Sequence, residues 1–401
     1  MFLHNTSLPV GSLLIGSLPV TGGIIGLVLP FMPVFFGIGI VCLAGADPRL
    51  KKLLAKQRRI ERFMQHINNS SGLAFTRRFI ALQHLRRCLL AKEGQKNNNA
   101  IIVVGAVAYD QIASTKNAFG PSGPGLNSKL DTLEEHFGGC GGNIAYGIGQ
   151  LSRDAKLVSV CGDLDFHSYR THIESPCIDL QGVMTKFDAK CARAFVLSDP
   201  SGEQFIAFYP GPEVSEESWA AHLMNQDLQQ SPIMVCAPYP EKLMLSSLKC
   251  MTKANPQALR IWCPGQYADL LDEASLRHFS DFWDVLIGNE HEVDHLMSLD
   301  ADFVSKKTVV VTAGARPIKV YMAHGGTRTF PVPKLAAPNI DPTGSGDAFI
   351  AGFASVISDH ISADNQGAWI GYVNEAVKVG VRSAQRCLEH LGPQNYANTA
   401  N

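Results

Sequence analysis

The stretch that decides the fold of this 401-residue chain is Asn339-Ile340-Asp341-Pro342-Thr343-Gly344-Ser345-Gly346-Asp347-Ala348-Phe349. Its glycine-rich turn, residues 344–346, runs directly into an apolar helical pattern. Because the first backbone amides of a helix have no intrahelical acceptor and lie at its positive end, this turn predicts an anion site formed by N–H donors. A carboxylate beside such a site is electrostatically unfavourable unless it has a task. Asp347 is therefore interpreted either as a general base or as a helix N-cap.

A second glycine-rich stretch lies about 200 residues earlier, Phe137-Gly138-Gly139-Cys140-Gly141-Gly142-Asn143-Ile144-Ala145. Glycines at this density let the backbone approach a ligand closely. We expect a helix to start after Gly142, with Asn143 at its start. Taken alone, the stretch is equally consistent with an ordinary glycine-rich loop.

Between these two motifs the sequence alternates apolar runs with helical patterns. The runs are short and rich in β-branched residues, which is typical of strands buried on both faces. They occupy residues 101–105, 156–160, 233–236, 260–262, 284–287 and 308–311. The alternation predicts an α/β domain with a mostly parallel sheet. Residues 187–197 and 204–209 flank the turn sequence Asp199-Pro200-Ser201-Gly202 and predict a hairpin that stands off this sheet.

Composition excludes several classes of protein. A hydrophobic fraction of 46% with 18% charged residues excludes a mostly disordered chain. The formal net charge of −1 gives no reason to expect a nucleic-acid partner. The ten cysteines are irregularly spaced without a Cys-x-x-Cys pair, so neither a disulfide framework nor a structural zinc site is predicted.

The amino-terminal part differs from the rest in charge and hydropathy. Residues 1–99 hold 13 Lys and Arg against 3 acidic residues, whereas the remaining residues carry a net charge of −11. No charged residue occurs in 5–46, which is long enough to cross a bilayer, and a basic helical segment follows. We therefore expect a membrane-spanning segment (1–48), a basic segment with a linker (49–99) and a cytoplasmic domain (100–401), with membrane contact through residues 5–62. The alternative is a wrongly assigned start codon.

The two glycine motifs together resemble the signatures of the ribokinase-like (phosphofructokinase-B) family of carbohydrate and nucleoside kinases. The matching patterns are Gly138-Gly139-x-x-x-Asn143-x-Ala145 and Asp341-x-Thr343-Gly344-x-Gly346-Asp347-x-Phe349. The resemblance covers about residues 100–395. It implies a three-layer α/β/α sandwich with a small β-sheet lid, and transfer of the ATP γ-phosphate to a hydroxymethyl group of a small-molecule substrate.

The resemblance also implies roles for individual residues. Asp347 would accept the proton of the attacking hydroxyl, and the amides of Gly344, Ser345 and Gly346 would hold the developing charge. The acceptor would be bound by Asp110, Gly138, Gly139 and Asn143. The nucleotide would lie against Asn289, Thr312 and Gly314, although Arg316-Pro317 replaces a glycine that is usual in the family. Glu292 would act indirectly on Mg²⁺, while Asp341 and Thr343 match positions that bind a monovalent cation such as K⁺.

One motif points to different chemistry. The sequence His291-Glu292-Val293-Asp294-His295 matches His-Glu-x-x-His, in which two histidines on one helix face bind zinc and the glutamate activates water. A metalloprotease is thus a remote alternative, and surface histidines are another. The same region contains Asn289-x-x-Glu292, which resembles an element of the kinase family near magnesium. No P-loop motif and no protein-kinase motif set is present.

The acceptor is not decided by the motifs. Segments 125–127, 137–146, 207–211 and 389–395 resemble bacterial adenosine-kinase-like proteins, which favours a nucleoside, with ribose or fructose as the alternative. Phe119, Phe205 and Phe208 are candidates to stack on a base or, equally, to pack within the lid. The resemblance also allows a homodimer formed through the lid. A membrane-tethered binding protein with an inactive kinase fold is a third hypothesis, and the intact Asp347 argues against it.

Overall fold

The computed structural model describes residues 100–118, 129–175, 177–201, 203–300, 307–323, 325–335, 341–361 and 367–396. The expected membrane-spanning segment, the basic segment and Phe119 lie outside these residues. Among the helices that the structure describes, none combines the length and apolar character needed to cross a bilayer.

The strands of the main sheet are β1 (Ile101–Val104), β4 (Ala155–Gly162), β5 (Ile178–Asp179), β6 (Val183–Lys186), β9 (Ile233–Cys236), β10 (Leu259–Trp262), β11 (Val285–Asn289), β12 (Thr308–Thr312), β13 (Ile318–Tyr321) and β14 (Thr327–Phe330). Their order in the sheet is β14-β13-β12-β11-β10-β9-β1-β4-β5, with β6 paired to β4. They are parallel except for β13 and β14, which are antiparallel to their neighbours. The parallel strands predicted from the apolar runs are therefore confirmed.

Helices cover both faces of this sheet. They are α1 (Cys140–Gln150), α2 (Phe166–Ile173), α3 (Glu216–Met224), α4 (Glu241–Ala254), α5 (Glu273–Phe279), α6 (Glu290–Leu299), α7 (Ser345–His360) and α8 (Trp369–Leu388). Side chains of β1 alternate between two cores: Ile101 and Val103 pack with α1, α2, α7 and α8, whereas Ile102 and Val104 pack with α3, α4, α5 and α6. This alternation is why the apolar run is continuous rather than interrupted by polar residues.

A second, smaller sheet with the order β3-β2-β7-β8 forms the lid. Its strands are β2 (Ala108–Thr115), β3 (Leu130–Gly138), β7 (Ala192–Ser198) and β8 (Gln204–Tyr209), and β2 pairs with β7 in parallel. The predicted hairpin is β7 and β8, which are antiparallel. Its turn is held by Asp199, whose Oδ1 accepts hydrogen bonds from the amides of Ser201 (2.8 Å) and Glu203 (3.0 Å).

Two predicted boundaries were wrong. The hairpin strand begins at Ala192 rather than at Phe187, because Asp188 has a left-handed φ of 56° and the Ala189 carbonyl accepts from the amide of Leu164. Helix α1 begins at Cys140, before Asn143, because Gly139 with a φ of 84° ends the preceding strand and starts the helix. Glycines at positions 141 and 142 are thus inside the helix.

Candidate active site

The predicted site residues gather at one edge of the main sheet. Asn289 is the last residue of β11, and Thr312 is the last residue of β12. The first turn of α1 lies beside the end of β1, because Gly141 in that turn is in close contact with Gly105, the residue after the strand. In open parallel sheets this edge, at the carboxyl ends of the strands, is where ligands bind.

The glycine turn before α7 has the shape that the sequence predicts. Gly344 is the N-cap with a φ of 75°, and a Cβ there would lie 2.3 Å from the Cβ of Pro393. The amide of Ser345 donates to the carbonyl of Pro342 (3.2 Å). Within the described residues, the amides of Gly344 and Gly346 have no hydrogen-bond acceptor. As far as the structure describes the chain, two N–H donors of the turn are thus open to an anion, and the third is already engaged.

Asp347 lies in the first turn of α7 and is partly buried. The pKa of this carboxyl is raised from 3.8 to about 7, chiefly by burial and also by the nearby charges of Asp110 and Glu292. Hydrogen bonds from Asn143, whose Nδ2 donates to Oδ2 over 2.8 Å, and from the Cys140 thiol act in the opposite direction. A carboxyl with a pKa near neutrality can accept a proton during turnover.

Asp110 reaches the same region from lid strand β2. Burial raises its pKa from 3.8 to about 6, His136 lowers it, and Asp341 raises it. Its carboxylate lies directly over Gly138, where an added Cβ would be 2.2 Å from Oδ2. Gly138 therefore has a steric role, since it leaves room for the Asp110 side chain. Gly139 likewise permits close contact, because a Cβ there would lie 2.6 Å from the Ala106 carbonyl oxygen.

Asn143 is 5% exposed and is engaged on both sides of its amide group. Its Nδ2 donates to Asp347, and its Oδ1 accepts a hydrogen bond from Nε2 of Gln394 (2.9 Å). In this structure Asn143 thus connects α1 to α7 and to the segment after α8. The implied contact of Asn143 with the acceptor stays a prediction.

Asp341 is a buried carboxylate without a cationic partner among the described residues. It is 8% exposed, and its two oxygens accept hydrogen bonds from the amides of Thr343 (2.9 Å) and Gly392 (2.9 Å). A buried charge is unfavourable unless it is compensated. The donor set is consistent with the implied cation site, because carboxylate and carbonyl oxygens are ligands for hard cations.

The implied nucleotide residues lie at the ends of β11 and β12. Asn289 caps α6 in a reciprocal pair with Glu292: the Glu292 amide donates to Asn289 Oδ1, and Glu292 Oε2 accepts from the Asn289 amide. Burial raises the pKa of Glu292. Thr312 donates to the Gly288 carbonyl (3.3 Å), and Gly314, with a φ of 61°, has open space beside it.

The zinc-protease motif does not form a metal centre. His291 Nε2 lies 3.2 Å from the Asp269 carboxylate, whereas His295 Nε2 lies 3.3 Å from the Leu271 carbonyl oxygen. Glu292 is held by the capping pair with Asn289. Across the part of the chain that the structure describes, no group of three potential metal ligands is found.

Comparison with known proteins places this geometry in a family. A family model described as pfkB family carbohydrate kinase matches residues 98–400. The chain belongs to the pfkB family of carbohydrate kinases. The prediction of a phosphotransferase that acts on a hydroxyl group is therefore confirmed, and nothing in this comparison supports the metalloprotease alternative.

Individual pfkB relatives include nucleoside and sugar kinases. A nucleoside kinase of Methanothermobacter thermautotrophicus is 26% identical over 265 residues, covering 63% of this chain and 81% of that protein. A ribokinase of Lactococcus lactis is 21% identical over 73% of this chain and 92% of its own length. The structure of Burkholderia thailandensis nucleoside kinase in complex with inosine has a TM-score of 0.61 and 24% identity, covering 75% and 94% of the two chains. The last comparison confirms the ribokinase-like α/β fold.

Sequence reasoning missed three residues that contact the predicted ones. They are Tyr169, Gln394 and Cys140. Gln394 and Cys140 each lie in a segment that the resemblance had singled out, but no role was assigned to their side chains. Tyr169 carries no signal in the sequence, because its contacts depend on the tertiary fold alone.

Proposed function

We propose that the protein is an ATP-dependent nucleoside kinase that phosphorylates a hydroxymethyl group, with Asp347 as general base. The observation that carries this proposal is the position of Asp347. Its carboxyl, with a pKa of about 7, lies beside a glycine turn that offers the amides of Gly344 and Gly346. A carboxylate at a helix terminus can accept the proton of the attacking hydroxyl. The N–H donors beside it can stabilise the negative charge of the phosphoryl group during its transfer.

The residues of this chain act mainly by positioning. Asp110 would bind the acceptor hydroxyls from the lid, and Asp347 would take the proton of the attacking hydroxyl at its Oδ atoms. Burial raises the pKa values of both carboxyls; the charge of Asp110 adds to the shift of Asp347, and the charge of Asp341 adds to that of Asp110. Phosphoryl transfer requires in-line positioning and charge neutralisation rather than covalent participation of the protein.

ATP would lie along Thr312 and Gly314, where the open backbone at Gly314 admits a ligand. Magnesium prefers phosphate oxygens and water with few protein ligands. Glu292 and Asn289 fit this requirement, because the Glu292 carboxylate, although engaged with Asn289, retains lone pairs for a bound water. Mg²⁺ would neutralise phosphate charge, and Glu292 would orient one of its waters.

A monovalent cation such as K⁺ would be held by Asp341 and Thr343. The buried Asp341 carboxylate, which accepts two backbone hydrogen bonds but has no cationic partner among the described residues, supports this assignment. Turnover in K⁺ is expected to exceed turnover in Li⁺ at equal ionic strength. Equal rates in both salts would contradict a role for the cation.

The acceptor is proposed to be a nucleoside, with adenosine favoured and a free sugar as the alternative. The nucleoside kinases among the relatives support this, and so does one aromatic residue of the lid. In the register of the lid, Phe208 pairs with Ala194, which in turn pairs with Asp110, so these residues share one face of the sheet. Phe208 is 52% exposed and is available to stack on a base. Phe205 points to the opposite face.

The proposal is tested by measuring phosphorylation of adenosine, inosine, ribose and fructose at equal concentration with ATP and Mg²⁺. A nucleoside should be used at least tenfold more efficiently than ribose. The Phe208→Ala variant should lose efficiency toward nucleosides and keep its efficiency toward ribose, whereas Phe205→Ala serves as the matched control. Preference for ribose or fructose in the wild-type protein would refute the nucleoside assignment.

Two further proposals concern assembly and location. The lid face opposite Asp110 exposes Leu133 (62%), Phe195 (40%) and Phe205 (60%), which supports a homodimer formed through the lid. The anchor proposed for residues 5–46 rests on the absence of charge in the sequence. With the boundaries 1–48, 49–99 and 100–401, the kinase domain would lie on the cytoplasmic side of an inner membrane.

A further inference from the structure

Three buried polar side chains form a continuous line of hydrogen bonds that ends on Asp347. Gln394 Nε2 donates to the Tyr169 hydroxyl (2.6 Å) and to Asn143 Oδ1 (2.9 Å), and Asn143 Nδ2 donates to Asp347 Oδ2 (2.8 Å). The exposed fractions are 0% for Tyr169, 1% for Gln394 and 5% for Asn143. We infer that Tyr169 and Gln394 are positioning residues that fix the orientation of the Asn143 amide, so that its N–H group faces the catalytic base. This inference rests on the proposed role of Asp347.

The direction of the line is set at its far end. The Tyr169 hydroxyl donates its single hydrogen to the Gly138 carbonyl (2.7 Å), which can only accept. Toward Gln394 this hydroxyl can therefore only accept, so Gln394 must present its NH₂ group. The same NH₂ group requires an acceptor from Asn143, which leaves the Asn143 NH₂ group for Asp347. A backbone carbonyl thereby determines which atom meets the carboxylate.

Gln394 keeps this orientation although it leaves one of its own atoms unpaired. Its Oε1 is buried and has no hydrogen-bond partner within the described residues. A buried unpaired oxygen is unfavourable. Its neighbours therefore determine how Gln394 is oriented, which is expected of a side chain that serves the geometry of another group.

A glycine in α1 leaves the space that the line requires. A Cβ on Gly142 would lie 1.9 Å from the Tyr169 hydroxyl oxygen and 3.3 Å from Gln394 Nε2. Alanine favours helices more than glycine does, so its absence from this helical position calls for a steric reason. The line supplies that reason, and Gly142→Ala is a way to disturb it without changing a polar group.

The orientation matters because of the other groups around Asp347. Besides the Asn143 amide, the groups that act on Asp347 are Asp110, Glu292 and Cys140. The charge of Asp347 in turn raises the pKa values of the Cys263 and Cys387 thiols and of the Tyr396 hydroxyl, which lie on other segments of the chain. Burial and the negative charges of Asp110 and Glu292 disfavour the ionised base, and the Cys140 thiol and the Asn143 amide are its hydrogen-bond donors. A reversed Asn143 amide would replace a donor with an oxygen and raise the pKa of Asp347.

The test is the pH profile of kcat at saturating substrates for Gln394→Met, Tyr169→Phe and Gly142→Ala. We expect the rising limb to move upward by about one pH unit, because a hydrogen bond to the ionised base is lost. At pH 7 kcat should fall about fivefold, because a pKa that moves from about 7 to about 8 lowers the ionised fraction of the base by that factor, and near pH 9 it should recover to within about twofold of wild type. The KM for ATP should not change. Tyr146→Phe is the matched control. Tyr146 lies in α1 with Gly142 and, like Tyr169, donates a 2.7 Å hydrogen bond to a backbone carbonyl, in this case that of Tyr396.

An unchanged limb in Gln394→Met and Tyr169→Phe, with kcat reduced equally at all pH values, would overturn the inference. An equal shift in Tyr146→Phe would also overturn it. Failure of the proposed function has a different signature, because Asp347→Asn would then retain turnover. If wild type transfers no phosphate, urea unfolding gives the readout. The free energy of unfolding of Gln394→Met should then keep falling between pH 7 and pH 8, whereas that of wild type levels off. If the two proteins show the same dependence of this free energy on pH, the inference is refuted.

Discussion

Replacing Asp347 by asparagine should make the protein more stable and inactive at the same time. Burial raises the pKa of this carboxyl from 3.8 to about 7, so the folded state binds a proton that the unfolded state releases between these values. The stability of the wild-type protein therefore falls as the pH rises from about 4 to about 7, and remains reduced above it. Each pH unit of difference corresponds to about 1.4 kcal/mol, which gives about 4 kcal/mol as an upper bound. Because the side chain retains some exposure, we expect about 2 to 4 kcal/mol.

The assay is urea unfolding without ATP at pH 5 and pH 8. The free energy of unfolding of Asp347→Asn relative to wild type should increase by about 2 kcal/mol between these two pH values. Turnover should fall by about 10² to 10⁴. Asp131→Asn, which alters an exposed carboxylate of the lid, is the control and should change stability little. A stability difference that is the same at both pH values would refute the account of Asp347 as a buried carboxyl with a raised pKa.

Asp110→Ala should raise the KM of the acceptor about tenfold or more and leave the KM of ATP unchanged, and steady-state kinetics that show equal weakening of both would point to misfolding. Gly138→Ala should resemble Asp110→Ala in the same assay, because the new methyl group would displace the Asp110 carboxylate, and a normal acceptor KM would contradict the observed contact. The full-length chain should sediment with membranes and resist a high-salt wash, whereas residues 97–401 should be soluble and equally active; recovery of the intact chain in the soluble fraction would refute the anchor.

The sequence was sufficient where local pattern and tertiary structure agree. The turn before Asp347 and the buried strands were predictable because each depends on residues close together in the chain. The start of β7 was not predictable from the sequence. Phe187 is a residue type that favours strands, but the segment after it is hydrogen-bonded to the loop beyond β4. The contact between Tyr169 and Gln394 joins residues 225 positions apart, and neither has a short-range signature. Its existence depends on how α2 and the segment after α8 pack around α1.

The parallel pairing of β2 with β7 has a consequence for the order in which the protein folds. These strands come from distant parts of the chain, with Ala108 opposite Ala192, and the segment between them contributes β4 to the main sheet. Closing this connection costs chain entropy, and the cost is smaller once β1 and β4 have paired, because that pairing shortens the chain that remains to be closed between β2 and β7. The lid should therefore form late, after the main sheet, and its amides should exchange with solvent through openings that leave the rest intact. Asp110 lies on the lid, so the acceptor site would be the last part of the kinase to become complete.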